Sequence, residues 1–229
     1  MDTKDLISKE QSFTEDELKE MASQLAKPTG EKGLEIANWM NKTNSSMILE
    51  TIKALNLQEN DSVLELGPGN GNHLTDLHAN AKGLAYTALD ISPLMLEEAR
   101  KFCVENQLIP NAEFIQYDGI NIPLGHDLFY KIFTVNTIYF WSEPQKLLNE
   151  LYKVLKPGGI CCITMAEKES MDKMPVTAYG FKKYSDSDIN ALISSTSFFL
   201  KETLFFSETI VGKLGHPVER KYRIIILGK

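Results

Sequence analysis

Residues 63–71 read VLELGPGNG, a largely apolar run followed by glycine at 67, 69 and 71. The apolar positions suit a buried strand, and the alternating glycines suit a loop whose backbone comes close to something other than protein. A plain turn needs one glycine or two. Two common phosphate-binding spacings do not fit. A dinucleotide fingerprint, G-x-G-x-x-G, would need glycine where Asn72 stands, and GNGNHLT lacks the lysine of a phosphate loop.

From residue 61 onward, short apolar runs alternate with amphipathic helical segments. SVLEL, LAYTALD, AEFIQY, KIFTVN and ICCITMAE read as strands, with helices around 72–80, 93–106 and 143–155. Pro93 after Ser92 suits a first helical turn, Ser142 with Gln145 forms a capping-box spacing, and KPGG reads as the end of the helix that box opens. This alternation predicts an α/β fold with a mostly parallel sheet and helices on both faces. After a helix at 186–195 capped by Ser185, KETLFFSET and RKYRIIILGK are joined only by a loop and read as an antiparallel hairpin, for seven strands in all. Upstream, Thr14 with Glu17 caps one helix that stops before Pro28, and a second pattern extends through residue 55 with a break expected at NKTN. The expected division is a helical cap over 1–58 and a ligand-binding domain over 59–229.

In an open sheet of this kind, ligands sit beyond the carboxyl ends of the strands, near the switch in strand order. There the chain resembles the class I S-adenosylmethionine-dependent methyltransferases, of the small-molecule type. Their first motif, an acidic residue followed by G-x-G-x-G, is matched by ELGPGNG, and Asp90 in YTALDIS stands where they carry the acidic residue ending the second strand. FIQYDGINIPL, FTVNTIYFW and LYKVLKPGGIC are similar to the elements that follow, so five motifs occur in order over roughly residues 60–167. One departure is Phe129-Tyr130, where the family often carries aspartate after the phenylalanine. QLAKPTGEKGLEIANWMNKTN is similar to the N-terminal cap of some members.

The resemblance implies S-adenosylmethionine as cofactor and assigns residues to it. Gly67, Gly69 and Gly71, with Pro68, admit the methionine part, and Glu65 orders the loop or receives the amino group. Asp90 holds the ribose, a task suited to a carboxylate that accepts from two hydroxyls. Ile91 packs on the adenine, Asp118 beside Gly119 reads its amino group, and Asn136 lies near the sulfonium. Met40, Tyr139 and Trp141 are the substrate-side candidates, with burial in the core the alternative for each. His73 reads as helix surface, with contact to the cofactor's carboxylate end as the alternative. No catalytic residue is assigned, because a sulfonium methyl needs a positioned acceptor more than a base.

The net charge of −7 and pI near 5.2 argue against nucleic acid as the partner, and the short cap suggests a small methyl acceptor, with a protein acceptor as the alternative. Cys103, Cys161 and Cys162 lack metal spacing and read as buried thiols of a reducing compartment, and the four histidines are scattered, so no metal site is expected. The acidic N-terminus is unlike a signal peptide and no apolar run is long enough for a bilayer, so a cytoplasmic protein free of membranes is expected. Two rival readings stand beside methyl transfer: an NAD-dependent oxidoreductase, which Asn72 disfavours, and a non-catalytic S-adenosylmethionine-binding protein.

Overall fold

The computed structural model describes residues 13–211 and 217–229; His216 and the first twelve residues of the acidic N-terminal stretch lie outside the described residues. Helix α1 spans Glu15–Ala26, opened by the expected Thr14–Glu17 capping box, and α2 spans Gly30–Leu55. The alternating part then runs β1 (Ser62–Leu66), α3 (Leu74–Asn80), β2 (Ala85–Asp90), α4 (Pro93–Glu105), β3 (Glu113–Gln116), β4 (Phe129–Val135), α5 (Pro144–Val154) and β5 (Leu155–Ala166). A short helix α6 (Lys168–Asp172) and α7 (Asp186–Ser194) precede the hairpin of β6 (Phe199–Val211) and β7 (Pro217–Gly228).

The strands form one sheet in the order β3-β2-β1-β4-β5-β7-β6. Strands β1 to β5 pair in parallel, while β7 runs antiparallel to both β5 and β6. The order switches direction between β1 and β4, which directs any ligand to the carboxyl end of β1.

Alternation along each strand builds a core on either face. Leu64, Ile132 and Cys161 join Leu147, Leu151 and Ile189 of α5 and α7 on one side. Val63, Phe133 and Cys162 join Ile52, Leu77 and Ala99 of α2, α3 and α4 on the other. The adjacent cysteines therefore face opposite ways, and burial pushes both thiols up, that of Cys162 to about 12.

Three local expectations are corrected. The NKTN segment does not break α2, which runs unbroken for 26 residues. Thr43 Oγ1 donates back to Trp39 O at 3.4 Å, so one polar side chain of that segment is satisfied by the helix itself. Near the helix's far end, Thr51 Oγ1 lies 2.6 Å from Thr164 Oγ1 of β5, and Ile52 and Leu55 are fully buried, so packing against the sheet overrides weak local propensity. Ser142 and Gln145 do not cap α5: the helix starts at Pro144, whose missing N–H and fixed φ suit a first turn, and Gln145 Nε2 instead donates to Ser195 O at 3.0 Å. Finally, α5 ends at Val154, and KPGG lies within the span of β5.

Candidate cofactor and acceptor site

The chain leaves β1 through a loop in which all three glycines have positive φ: +73° at Gly67, +57° at Gly69 and +74° at Gly71. Gly67 N still donates to Leu89 O at 2.8 Å, extending the β1–β2 ladder by one step. A Cβ at Gly67 would lie 2.5 Å from Thr137 Cγ2, and one at Gly71 would lie 2.9 Å from the Ala99 backbone. A Cβ at Gly69 would meet nothing within 4 Å. Two of the glycines thus allow protein to pack closely, and the middle one faces open space.

That space is a cavity of about 1030 Å³, open mouth included, between α2, the glycine loop and the ends of β1, β2 and β4. It brings together Glu65, Gly67, Pro68 and Gly69 from the loop with Asp90, Ile91 and Gly119 from the next two strand ends. Asn136, Trp141 and Met40 complete the sequence-predicted residues found there. Asn136, at φ +59°, sits just past β4 and is one of the few non-glycine residues in the left-handed region.

Asp90 is 8% exposed, and its Oδ1 accepts from Ser92 N at 2.8 Å. Burial raises its pKa to about 6, against the opposing pull of the neighbouring backbone amides. The Ser92 hydroxyl donates to Pro28 O at 2.6 Å, which ties the α1–α2 connection to the end of β2.

Glu65 lies deeper. Its Oε2 is 2.8 Å from His73 Nε2 and accepts from the Tyr86 hydroxyl. His73 is 8% exposed and lines the cavity, which corrects its reading as helix surface. No spacing rule links residues 65 and 73; parallel pairing of β1 with β2 and the turn into α3 create the contact. Asn70 also lines the cavity, donating to Asn38 Oδ1 at 3.2 Å, while its own Oδ1 is buried with no hydrogen-bond partner in the protein.

Three sequence candidates lie off this cavity. Gly71 packs on α4. Asp118 is exposed, and its carboxylate is taken up by Ile120 N, Asn121 N and Asn121 Nδ2 at 2.6–2.8 Å, which hold its pKa down at about 2. Tyr139 is buried and lines a second, adjoining cavity. Trp141 is equally a core residue, its Nε1 donating to Thr137 Oγ1 at 3.1 Å.

Comparison with known proteins bears on this geometry. Residues 64–163 match the family described as a methyltransferase domain, a stretch that contains the glycine loop, Asp90 and Asn136. An uncharacterized methyltransferase of Bacillus subtilis, YdaC, is 28% identical over 148 residues, which cover 65% of this chain and 79% of that protein. A chloroplastic 2-methyl-6-phytyl-1,4-hydroquinone methyltransferase of rice is 31% identical over 101 residues, 44% of this chain and 29% of that enzyme. The chain thus spans most of YdaC but less than a third of the rice protein. Among solved structures, a SAM-dependent methyltransferase from Aquifex aeolicus superposes with a TM-score of 0.63 at 23% identity, covering 89% of this chain and 98% of that one. Fold, motif order and family match agree on a methyltransferase domain over residues 64–163, with the fold of the class I S-adenosylmethionine-dependent enzymes and S-adenosylmethionine as its methyl donor.

Proposed function

We propose that this protein methylates a small-molecule acceptor, with the donor held by Glu65, Gly67, Pro68, Gly69, Asp90, Ile91 and Gly119. The observation that carries the reading is one cavity uniting the open space at Gly69 with buried carboxylates at the ends of β1 and β2. The residues present fit the donor. Asn70 Oδ1 is a buried acceptor in want of a donor, and Asp90 has a carboxylate oxygen beyond the one used by Ser92 N. When bound, S-adenosylmethionine supplies a methyl group already activated by a positive sulfur.

The chain's own work is then orientation and exclusion of water. Asp90 accepts from the ribose hydroxyls, Ile91 covers the adenine, and Glu65, held by His73 and Tyr86, faces the amino-acid end. Asn136 closes the side where the methyl group would lie. Orientation of this kind is worth roughly 7–11 kcal/mol in favourable cases, enough to act without a dedicated base. Asp118 would meet the adenine amino group only by giving up bonds to its own turn, so its part in this reading is to shape the loop at Gly119.

The acidic charge favours a small acceptor over nucleic acid and fits a cytoplasmic setting. No helix among the described residues is long and apolar enough to cross a membrane. Calorimetry with S-adenosylmethionine, S-adenosylhomocysteine and NAD tests the reading. Both sulfur nucleosides are expected to bind and NAD is not; the reverse result sinks it.

A further inference from the structure

A second chamber adjoins the cofactor cavity, and Met40, Asn44, Asn136 and Phe140 line both. It encloses about 650 Å³, open mouth included, and its remaining wall is mainly Trp39, Met171, Met174, Val176, Phe181 and Ile210. Its polar groups are turned on one another. Tyr139 Oη accepts from Ala166 N and donates to Asn136 Oδ1 at 3.0 Å. Asn136 Nδ2 donates to Asn44 Oδ1 at 3.1 Å, and Arg220 Nη1 donates to that same oxygen at 3.3 Å. Arg220 is in turn balanced by Glu208, whose Oε1 accepts from Nε at 3.0 Å and Nη2 at 2.6 Å. Thr177 Oγ1 is spent on Met171 O and Met174 O.

This belt has two chemical consequences. A charged acceptor entering the chamber would lose its hydration and find Arg220, the one cation among the described wall residues, already neutralised, a costly exchange. Among the described residues, the chamber wall carries no histidine, cysteine, lysine or carboxylate to take a proton.

We propose that this chamber is the acceptor site, and that the acceptor is an apolar molecule whose nucleophile needs no base from the enzyme and meets the methyl group at the Asn44–Asn136 pair. The proposal rests on the methyltransferase reading above. For an acidic thiol, the proton has already gone to water. The sulfur lone pair forms the new bond to the methyl carbon, the old carbon–sulfur bond breaks, and its electrons remain on S-adenosylhomocysteine.

Titrating the S-adenosylhomocysteine-saturated protein with thiophenol, benzyl alcohol and glycine tests this. The two aromatics are expected to saturate and compete for one site, and glycine is not expected to bind. Val176→Lys should weaken both aromatics at least tenfold while S-adenosylhomocysteine affinity stays within twofold. Val176→Phe, which fills the chamber without adding charge, should weaken them as well. With S-adenosylmethionine, thiophenol should be methylated at least tenfold faster than benzyl alcohol. Binding of glycine in place of the aromatics, indifference to both Val176 variants, equal turnover of benzyl alcohol, or binding of thiophenol without methylation would each overturn the proposal. Failure of S-adenosylhomocysteine itself to bind would instead count against the donor site.

Discussion

His73 Nε2 lies 2.8 Å from Glu65 Oε2, with both side chains buried beneath the cofactor cavity. Burial pulls the imidazole pKa down, but the charge and hydrogen bond of Glu65 outweigh it, and the net direction is above the ordinary 6.5. A group raised on folding lends stability that is complete below its unfolded pKa and fades as pH rises through the folded one. His73→Gln should therefore be less stable than the wild type by about 1–3 kcal/mol near pH 6, with the gap narrowing by pH 9. Urea unfolding at a series of pH values measures this, and a gap constant across the range contradicts it.

Asp90 shows the opposite bargain between stability and binding. Its pKa is raised by burial to about 6, so its ionised form is the unfavourable one in the folded protein. The shift is worth roughly 3 kcal/mol, present as stability below the ordinary carboxylate pKa near 3.8 and lost as pH climbs through 6. Asp90→Asn should recover about 1–2 kcal/mol of stability at pH 8 while weakening S-adenosylhomocysteine at least tenfold. Affinity of the wild type should rise with pH through about 6, and that step should be missing from the variant. Calorimetry at pH 5 and pH 8 reads both.

Most of the fold was legible because the sheet imposes strong signals. Val63 to Leu66, Ile132 to Val135 and Ile160 to Ala166 are runs suited to a strand covered on both faces, and Ser185 caps α7 as expected. What failed was local chemistry overridden from afar. Asn41, Thr43 and Asn44 have poor helix propensity, yet Asn44 is held by Arg220 and Asn136, residues 176 and 92 positions away. His73 looked like surface because its partner comes from another element. Asp118 carried a motif position, but a free Asn121 three residues on offered its carboxylate a turn.

The three glycines should separate on substitution. At Gly67 and Gly71, alanine adds both left-handed strain and a clash, with Thr137 Cγ2 in one case and the α4 backbone in the other. Each should cost about 2–4 kcal/mol. Gly69→Ala meets no protein atom and should cost only about 1 kcal/mol, yet its methyl group projects where the donor would lie. Expected results are a small drop in thermal midpoint and a large loss of S-adenosylhomocysteine binding at Gly69, and the reverse emphasis at Gly71. Equal binding losses with equal midpoints across all three would contradict the division.

Asn136 joins the two cavities, and its backbone and side chain can be tested apart. The φ of +59° suits glycine as well as asparagine, so Asn136→Gly keeps the turn after β4 while removing the amide that links Asn44 to Tyr139. The Tyr139 hydroxyl would keep its bond from Ala166 N but lose its acceptor, a loss of about 1 kcal/mol. Turnover should fall further than stability, because Asn44 loses the Asn136 amide that helps fix it at the mouth between donor and acceptor, keeping only the bond from Arg220. The expected pattern is a tenfold or greater drop in kcat with S-adenosylhomocysteine affinity nearly unchanged. Asn136→Ala, which must strain to adopt the same φ, should add a stability loss of about 1 kcal/mol to that drop. If the glycine variant turns over like the wild type, Asn136 serves only the backbone, and the link between the cavities has no part in positioning the acceptor.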